Sequence, residues 1–349
     1  MSSDDFDSHL RKLMAWHFGD ATGSPFWLGK RATLGFDPVG EVQGAADLLR
    51  FPDISAELRS VPAGDLIPQG LADQPFRVYD SGGTTGAPKR IVDSGYRSRL
   101  LEWAHGKLVA RGVPATGNWL HLGPSGPHVI GFDVSRYAAL GNGIFYTVDL
   151  DPRWVKRLLG SGRPEQAEEY VQHLLDQAET ILRSQDVAVL STTPPLLEAI
   201  CAREELYELV LAKVRGIIWA GTSISAESLR LVEEVFFPGT AVAGIYGNSL
   251  MGVAPQRERL AGDEYPCVFE AFPETTRLEL VDEHGEQVGY GERGRVRLHL
   301  VAEEMFLPNI LERDSAVRVA PTSPGGPDGL ADVQTFATVD DVAVIEGVY

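Results

Sequence analysis

Short apolar segments alternate with helical patterns through the middle of the chain. Strand-length apolar runs lie at residues 118–122, 143–148, 187–190, 217–220 and 241–246. Amphipathic helical patterns separate these runs, and strands that alternate with helices are typical of parallel sheets covered by helices. The sequence therefore predicts an α/β fold whose strands are joined by parallel connections.

The helical patterns are clearest where apolar residues recur every three or four positions. This spacing predicts helices at about 96–111, 167–182, 195–201 and 206–214. A further helix is expected at 226–235, with Ser225 as its N-cap.

Residues 1–75 show no comparable pattern and are predicted to be irregular, apart from a short helix near residues 53–58. From about residue 265 the pattern changes to strands, at 276–282 and 294–301, with a last strand pair that runs to residue 349. We therefore expect an α/β core at residues 1–264 and a β-rich subdomain at residues 265–349.

Charge and cysteine content exclude several functional classes. The 349 residues carry 31 Lys and Arg against 49 Asp and Glu, a formal net charge of −18. Such an acidic chain is a poor match for nucleic acid, which is bound through basic surface. Two cysteines without metal spacing, no secretion signal and no bilayer-length apolar run predict a cytoplasmic protein that does not bind membranes.

A glycine- and hydroxyl-rich stretch at residues 79–90 has the composition of an anion-binding loop. Glycines let the backbone approach a ligand closely, and consecutive amides in such a loop form a concave anion site. Ser81, Thr84 and Thr85 add hydroxyl donors, and Lys89 adds a positive charge. The loop lacks the Walker A pattern, so it predicts a different kind of nucleotide phosphate site. The alternative is a flexible surface loop.

The string Ser-Gly-Gly-Thr-Thr-Gly-Ala-Pro-Lys-Arg at residues 81–90 resembles the phosphate loop of the acyl-adenylate-forming superfamily, which includes acyl-CoA synthetases, luciferases and adenylation domains. The loop has one more glycine than the usual superfamily pattern, and this variant resembles the loop of the branch that contains phenylacetate-CoA ligases. The resemblance implies catalytic roles for Thr84, Thr85 and Lys89. It implies nucleotide contacts from a further set: Ser81, Gly82, Gly83 and Gly86.

Two later segments resemble the adenine-binding parts of the same superfamily. The first follows the predicted strand at 217–220, and the second ends the predicted strand at 241–246. The resemblance assigns nucleotide contacts to these residues: Gly221, Thr222, Ser223, Tyr246, Gly247, Asn248 and Ser249. The alternative for each segment is an ordinary turn between strand and helix.

A segment at residues 307–316 resembles the one that binds ribose in the phenylacetate-CoA ligase branch, and it places Asp314 at the ribose position. A carboxylate suits this role because it can accept two hydrogen bonds. The alternative is a solvated aspartate in a turn. Residues 126–133 resemble the acyl pocket, so His128 and Phe132 are candidates for substrate contact, although a lone histidine is more often structural.

Two departures from the superfamily affect the expected chemistry. The glutamate that helps hold Mg²⁺ is either deleted or replaced by Leu250, which cannot ligate a hard cation. We therefore expect no dedicated metal ligand, with ATP as cofactor and Mg²⁺ carried on its triphosphate. The mobile C-terminal domain of the superfamily is also expected to be absent. This shortened pattern resembles adenylating proteins of phenazine-antibiotic biosynthesis and of arylcarboxylate reductases.

The resemblance implies a carboxylate–AMP ligase that activates an aromatic carboxylic acid in secondary metabolism. It also implies transfer of the acyl-adenylate to an aldehyde-dehydrogenase-like reductase. One alternative is a non-catalytic protein of the same fold that binds AMP or an acyl-adenylate. Another is acyl transfer through Cys267, which has no neighbouring His in the sequence to activate it. The sequence leaves the oligomeric state and the identity of the acid open.

Overall fold

A computed structural model of the chain describes residues 3–81 and 87–335. These residues form two compact units. The first unit contains the described residues up to Leu100, the short segment Asn248–Gly252 and the described residues from Glu270 onward. The second unit contains Leu101–Gly247 and Val253–Phe269.

Helices and strands are numbered here in chain order. The helices are α1 (Ser3–His17), α2 (Pro25–Arg31), α3 (Pro38–Glu41), α4 (Tyr96–Ala110), α5 (Val129–Leu140), α6 (Pro152–Gly160), α7 (Pro164–Ser184), α8 (Pro194–Ala202), α9 (Glu204–Lys213) and α10 (Ala226–Leu231). The strands are β1 (Arg77–Asp80), β2 (Arg90–Asp93), β3 (Trp119–Gly123), β4 (Phe145–Asp149), β5 (Val189–Thr192), β6 (Gly216–Ala220), β7 (Ala241–Asn248), β8 (Gly252–Pro255), β9 (Val268–Phe269), β10 (Thr276–Val281), β11 (Arg293–Val301), β12 (Phe306–Val319) and β13 (Gly329–Thr335).

The second unit is built on a six-stranded sheet with the order β4-β3-β5-β6-β7-β8. The pairs β3–β4, β3–β5, β5–β6 and β6–β7 are parallel. All five predicted strands and the helices between them are present, with ends shifted by a few residues. The parallel α/β prediction is therefore confirmed, because buried apolar strands and amphipathic helices leave distinct patterns in the sequence.

Helix α10 begins as its N-cap predicts, since Ser225 Oγ accepts a hydrogen bond from Ser228 N at 3.0 Å. The predicted helix at 226–235 changes character along its length. It is α-helical to Leu231 and then π-helical over Val232–Phe236.

The first unit contains an antiparallel sheet in which β10, β11, β12 and β13 lie side by side. The predicted strands at 276–282 and 294–301 correspond to β10 and β11. The predicted last strand pair is described only to Thr335, the end of β13, and the rest lies outside the described residues.

The prediction that residues 1–75 are irregular is wrong at the N-terminus. Helix α1 spans Ser3–His17, and its buried residues Phe6, Leu10, Leu13 and Met14 follow helical spacing. Acidic and polar residues interrupt this stripe, which hides the pattern in the sequence. The expected helix at 53–58 is a single 3₁₀ turn at Glu57–Arg59.

An aromatic cluster joins the N-terminal helices to strand β12 within the first unit. The Phe306 ring centroid lies 5.2 Å from Trp27, 5.1 Å from Phe51 and 6.1 Å from Phe18. Trp27 Nε1 donates to Phe306 O at 3.0 Å. Through this packing, the N-terminal segment belongs to the same compact unit as the antiparallel sheet.

Among the described residues, no helix is both long enough and apolar enough to cross a bilayer.

Candidate nucleotide-binding site

The predicted phosphate loop connects the two strands of a hairpin in the first unit. Strands β1 and β2 pair in antiparallel fashion, with Asp80 opposite Arg90. Beyond this pair, Ser81 N donates to Lys89 O at 2.9 Å, and Lys89 N donates to Ser81 Oγ at 2.8 Å. The two ends of the loop are therefore pinned together. The tip of the loop lies outside the described residues, and the predicted contacts there are Gly82, Gly83, Thr84, Thr85 and Gly86.

Three polar contacts hold the base of this hairpin. Arg90 Nε lies 3.5 Å from Asp80 Oδ1, which links opposite residues of the two strands. Arg59 donates to Ala87 O, so a 3₁₀ turn of the N-terminal segment supports the far side of the loop. Ser249 Oγ donates to Asp80 O at 3.3 Å. The structure thus brings two predicted nucleotide segments together, the phosphate loop and the turn that contains Ser249.

This second segment is a turn stabilised by its own side chain. Asn248 Oδ1 accepts hydrogen bonds from Leu250 N and Met251 N, each at 2.9 Å. Asn248 Nδ2 is buried and has no hydrogen-bond partner among the described residues. Leu250 is only 2% exposed. Leu250, which the resemblance places at the metal-binding position, therefore packs inward.

Asp314 lies in strand β12, not in the solvated turn that was the alternative reading. The strand bulges at this point. On β11, Arg295 pairs with Ser315 and Arg297 pairs with Leu311, so residues 312–314 lie opposite the single residue between them. Such bulges redirect side chains and are frequent beside functional sites. Arg295 Nε donates to Glu312 O at 2.6 Å and holds the bulge in place.

The bulge buries a charged side chain, which the sequence did not predict. Glu312 is 8% exposed, and its burial raises the pKa of its carboxyl group. The positive charge of Lys89 lowers that pKa, and the negative charge of Asp314 raises it. Lys89 and Asp314 therefore lie close enough to the same carboxyl group to influence its protonation. This places the predicted phosphate-binding lysine and the predicted ribose-binding aspartate in one neighbourhood of the first unit.

The predicted adenine-binding residues of the second unit follow strand β6 or lie near the end of β7. Gly221 adopts a left-handed conformation with φ of 91°, which glycine tolerates at no steric cost. Thr222 Oγ1 is buried and has no hydrogen-bond partner within the described chain, while Gly221 and Ser223 are exposed. Tyr246 is buried, and its ring centroid lies 6.0 Å from that of Phe269.

The predicted acyl-pocket residues lie at the beginning of helix α5. His128 is the residue before the first turn, and Phe132 is four positions later. His128 is the N-cap residue and has an extended backbone, whereas Phe132 lies within the helix. Both side chains are half-buried.

Sequence reasoning missed a polar group at the carboxyl ends of β5 and β6. Thr192 pairs with Trp219 in the parallel ladder, which places the two side chains on the same face of the sheet. Thr192 Oγ1, Thr193 Oγ1 and Trp219 Nε1 are all buried and lack a hydrogen-bond partner in the described parts of the chain. Ligands of open α/β sheets bind beyond the carboxyl ends of their strands. The two threonines close to the end of the apolar run at 187–190 could therefore have indicated this polar group.

Glycine at position 244 makes room for the indole ring of Trp219. A Cβ atom at Gly244 would lie only 2.5 Å from this ring. The Trp219 ring also packs against Phe269, with centroids 6.0 Å apart. Trp219, Tyr246 and Phe269 thus form an aromatic wall in the second unit.

The predicted site residues divide between the two units. Those described in the first unit are Ser81, Lys89, Asn248, Ser249 and Asp314. Those described in the second unit are His128, Phe132, Gly221, Thr222, Ser223, Tyr246 and Gly247.

The protonation state of Cys267 bears on the possible chemistry. Burial raises the pKa of the Cys267 thiol to about 12, so this thiol is protonated at neutral pH. Because the thiolate is the reactive form, the structure argues against acyl transfer through Cys267.

In the described segments, no group of three or more His, Cys, Asp or Glu side chains is arranged to hold a metal ion.

No family model and no curated protein sequence matches this chain. Solved structures of a 2-hydroxyisobutyryl-CoA ligase are similar to it. The complex with 2-HIB-AMP and CoA in the thioesterification state has a TM-score of 0.65 at 16% identity, over 99% of this chain and 70% of that chain. An open conformation with the same ligands has a TM-score of 0.64 at 16% identity, over 98% of this chain and 76% of that chain.

A third structure of that ligase, in the postadenylation state with 2-HIB-AMP, has a TM-score of 0.64 at 17% identity, over 96% of this chain and 67% of that chain. This likeness covers both the parallel sheet and the antiparallel subdomain. It confirms the predicted fold class: the chain has the fold of the N-terminal core of the adenylate-forming enzymes.

Proposed function

We propose that this chain activates a carboxylic acid by joining it to AMP at the expense of ATP. The observation that carries the proposal is the hydrogen bond from Ser249 Oγ to Asp80 O, which joins the predicted phosphate loop to a second predicted nucleotide segment, with Lys89 and Asp314 in the same compact unit. A nucleotide needs a cation for its phosphates and a hydrogen-bond acceptor for its ribose hydroxyls. Lysine and aspartate provide these two groups within one compact unit.

The reaction needs positioning and charge stabilisation more than proton transfer. A free carboxylic acid has a pKa near ~4 and is ionised at neutral pH, so no general base is required. Its oxygen bonds to the α-phosphorus of ATP, and the bond from that phosphorus to the oxygen bridging to the β-phosphate breaks. The electron pair leaves with pyrophosphate. The protein must hold two anions together and stabilise the charge that develops on the phosphates.

Residues at the loop supply this stabilisation in the proposal. The backbone amides of residues 81–86, the hydroxyls of Thr84 and Thr85, and the charge of Lys89 bind the phosphates. Asp314 accepts hydrogen bonds from the two ribose hydroxyls. Tyr246 and Gly221 frame the adenine ring. Mg²⁺, where it takes part, arrives on the triphosphate, because Leu250 offers no ligand.

For the acid itself we propose an aromatic carboxylate. The resemblance to arylcarboxylate reductases supports this choice. His128 and Phe132 are the candidates for contact with the acid. The proposed acceptor of the acyl group is an aldehyde-dehydrogenase-like reductase, by resemblance to arylcarboxylate reductases and their relatives.

The test is exchange of labelled pyrophosphate into ATP by the purified chain, with a panel of aromatic and short aliphatic acids. The panel includes 2-hydroxyisobutyrate, because the similar ligase was solved with its adenylate. We expect exchange that depends on the added acid and is fastest with an aromatic one. Exchange with aliphatic acids only would contradict the aromatic preference. No exchange with any acid would contradict the enzyme proposal.

The acyl acceptor requires a separate measurement. Once an acid that supports exchange is known, CoA or a reductase with NADPH is added, and the acyl thioester or the aldehyde is quantified. Aldehyde formed only with the reductase supports the proposed partner. A thioester formed by this chain alone with CoA would contradict it.

A second candidate is a protein of the same fold that binds AMP or an acyl-adenylate without making one. The buried Leu250 at the metal-binding position favours this reading, because it removes a ligand that catalysis uses elsewhere in the superfamily. Calorimetry with ATP and AMP, combined with a pyrophosphate assay, separates the two functions. Nucleotide binding with no pyrophosphate release in the presence of every acid would favour the binder.

A further inference from the structure

Glu312 is buried, and no described residue forms a hydrogen bond with its Oε1 atom. Its side chain is more than nine-tenths buried in the bulge of β12. Buried polar atoms without partners are rare, and an uncompensated buried carboxyl group destabilises a fold. Arg313 Nη1, next in the chain, is also buried and has no partner in the described structure. A buried carboxyl oxygen without a partner, in a bulge close to Lys89 and Asp314, indicates a site whose partner is a ligand.

Charged groups approach Glu312 from several elements. Lys89 approaches from the phosphate hairpin, Asp53 from the N-terminal segment, and Arg313 and Asp314 from β12 itself. Arg295 of β11 binds the main-chain oxygen of Glu312. Burial is the largest influence on the pKa of Glu312 and raises it, and the two aspartates act in the same direction against Lys89 and Arg313. The neutral, protonated form of Glu312 is therefore favoured relative to a solvent-exposed glutamate.

We propose that Glu312 is a further nucleotide-binding residue, whose protonated carboxyl group donates a hydrogen bond to an oxygen atom of the nucleotide held by Lys89 and Asp314. This inference rests on the proposed function, since it places the nucleotide in the same charge neighbourhood. A neutral acid can donate to a phosphate or ribose oxygen, whereas a carboxylate only accepts hydrogen bonds. An ionised Glu312 would also repel a polyanion and compete with it for Lys89.

The proposal makes nucleotide affinity depend on pH in one direction. ATP binds the form with Glu312 protonated, so affinity is highest at low pH. As the pH rises above the pKa of Glu312 in the free protein, affinity falls by up to about tenfold per pH unit. Glutamine at this position keeps a donor of similar shape and cannot ionise. Leucine keeps the volume and removes the donor.

The experiment is calorimetric titration of ATP into the full chain between pH 5 and pH 9, for the wild type, Glu312→Gln and Glu312→Leu. The exposed Glu303→Gln is the matched control. Comparison at each pH removes the titration of ATP itself. We expect Glu312→Gln to bind ATP with a flatter pH profile than the wild type and with higher affinity at pH 8–9. Glu312→Leu is expected to bind about tenfold more weakly than Glu312→Gln at every pH, which corresponds to the loss of one hydrogen bond to a charged group.

Parallel pH profiles for the wild type and Glu312→Gln would overturn the inference and leave the proposed function in place. Equal affinities of the Gln and Leu variants would overturn it as well. If the wild type and the Glu303→Gln control bind no ATP at any pH, both the inference and the proposed function fail. Thermal unfolding of each variant shows whether a weak binder is still folded.

Discussion

One buried ion pair of the second unit differs from two neighbouring charged residues of the first unit in how its atoms are paired. In the second unit, Arg257 forms a two-point ion pair with Asp263 at 2.6 and 2.8 Å. In the first unit, Glu312 and Arg313 are adjacent in a bulge and each has a buried atom without a hydrogen-bond partner within the described residues. The Arg257–Asp263 pair of the second unit is complete in the folded chain. The unpartnered charges of the first unit indicate where a charged ligand would complete the structure.

The units also differ in how they are assembled. The second unit is formed mainly by one continuous stretch of chain, Leu101–Gly247. The first combines segments that are more than a hundred residues apart in the sequence, and the contacts of Phe306 with Trp27 and Phe51 join them. Aromatic packing between distant segments therefore stabilises the unit that carries the β1–β2 hairpin.

The largest expected effect comes from removing this packing. Phe306→Ala should destabilise the protein by about 3–5 kcal/mol, because Phe306 is fully buried and its loss leaves a cavity. The measurement is chemical denaturation combined with hydrogen exchange. Amides of α1 and β12 should lose protection, while those of β5 and β6 keep theirs. The control is Leu49→Ala, an exposed residue of the same unit. An equal loss of protection in both units would contradict the comparison.

Lys89→Ala tests the charge neighbourhood of the first unit. Removing a group that stabilises developing charge on the phosphates should lower the rate of pyrophosphate exchange by about 10²–10³-fold. Lys12→Ala removes an exposed cation from α1 of the same unit and should leave the rate unchanged. Equal rates for the Lys89→Ala and Lys12→Ala variants would show that Lys89 does not contact the phosphates.

A smaller effect is expected from His17, whose ring stacks on Phe306 in the first unit. Burial lowers the pKa of His17 to about 4, against a weaker opposing effect of its hydrogen bond to Ala302 O. Above pH 6.5 neither the folded nor the unfolded state binds the proton. Between about pH 6.5 and 4 the unfolded state alone binds it, so stability falls as the pH falls.

The expected loss from His17 is about 2 kcal/mol between pH 7.5 and 5. Denaturation of the wild type and of His17→Gln over this range measures it. The wild type should show the steeper loss, and His173→Gln, an exposed residue of α7, should behave as the wild type does. Identical slopes for the wild type and His17→Gln would contradict this assignment.

The sequence predicted the second unit well because each of its elements has a local signature. Buried strands such as β5 and β6 appear as apolar runs, and α7 appears as a long amphipathic repeat. The first unit was harder to predict. Helix α1 was missed, and nothing local to Trp27 or Phe306 shows that they meet, because their contact joins residues far apart in the chain.

The site shows the same division. Motifs predicted Ser81, Lys89 and Asp314 as site residues, since the residue types at each position can be compared directly with a known pattern. Glu312 was not among the predicted residues, because the bulge that buries it depends on the register between β11 and β12. Trp219 and Thr192 were missed for a similar reason, since only the sheet register places them side by side.

The most direct test of the account is a crystal structure of this chain with an ATP analogue that cannot be cleaved between its α- and β-phosphates. The account predicts that the Lys89 ammonium group contacts the phosphates and that the Asp314 carboxylate accepts hydrogen bonds from both ribose hydroxyls. A nucleotide bound elsewhere, with Lys89 and Asp314 both out of its reach, would contradict the account.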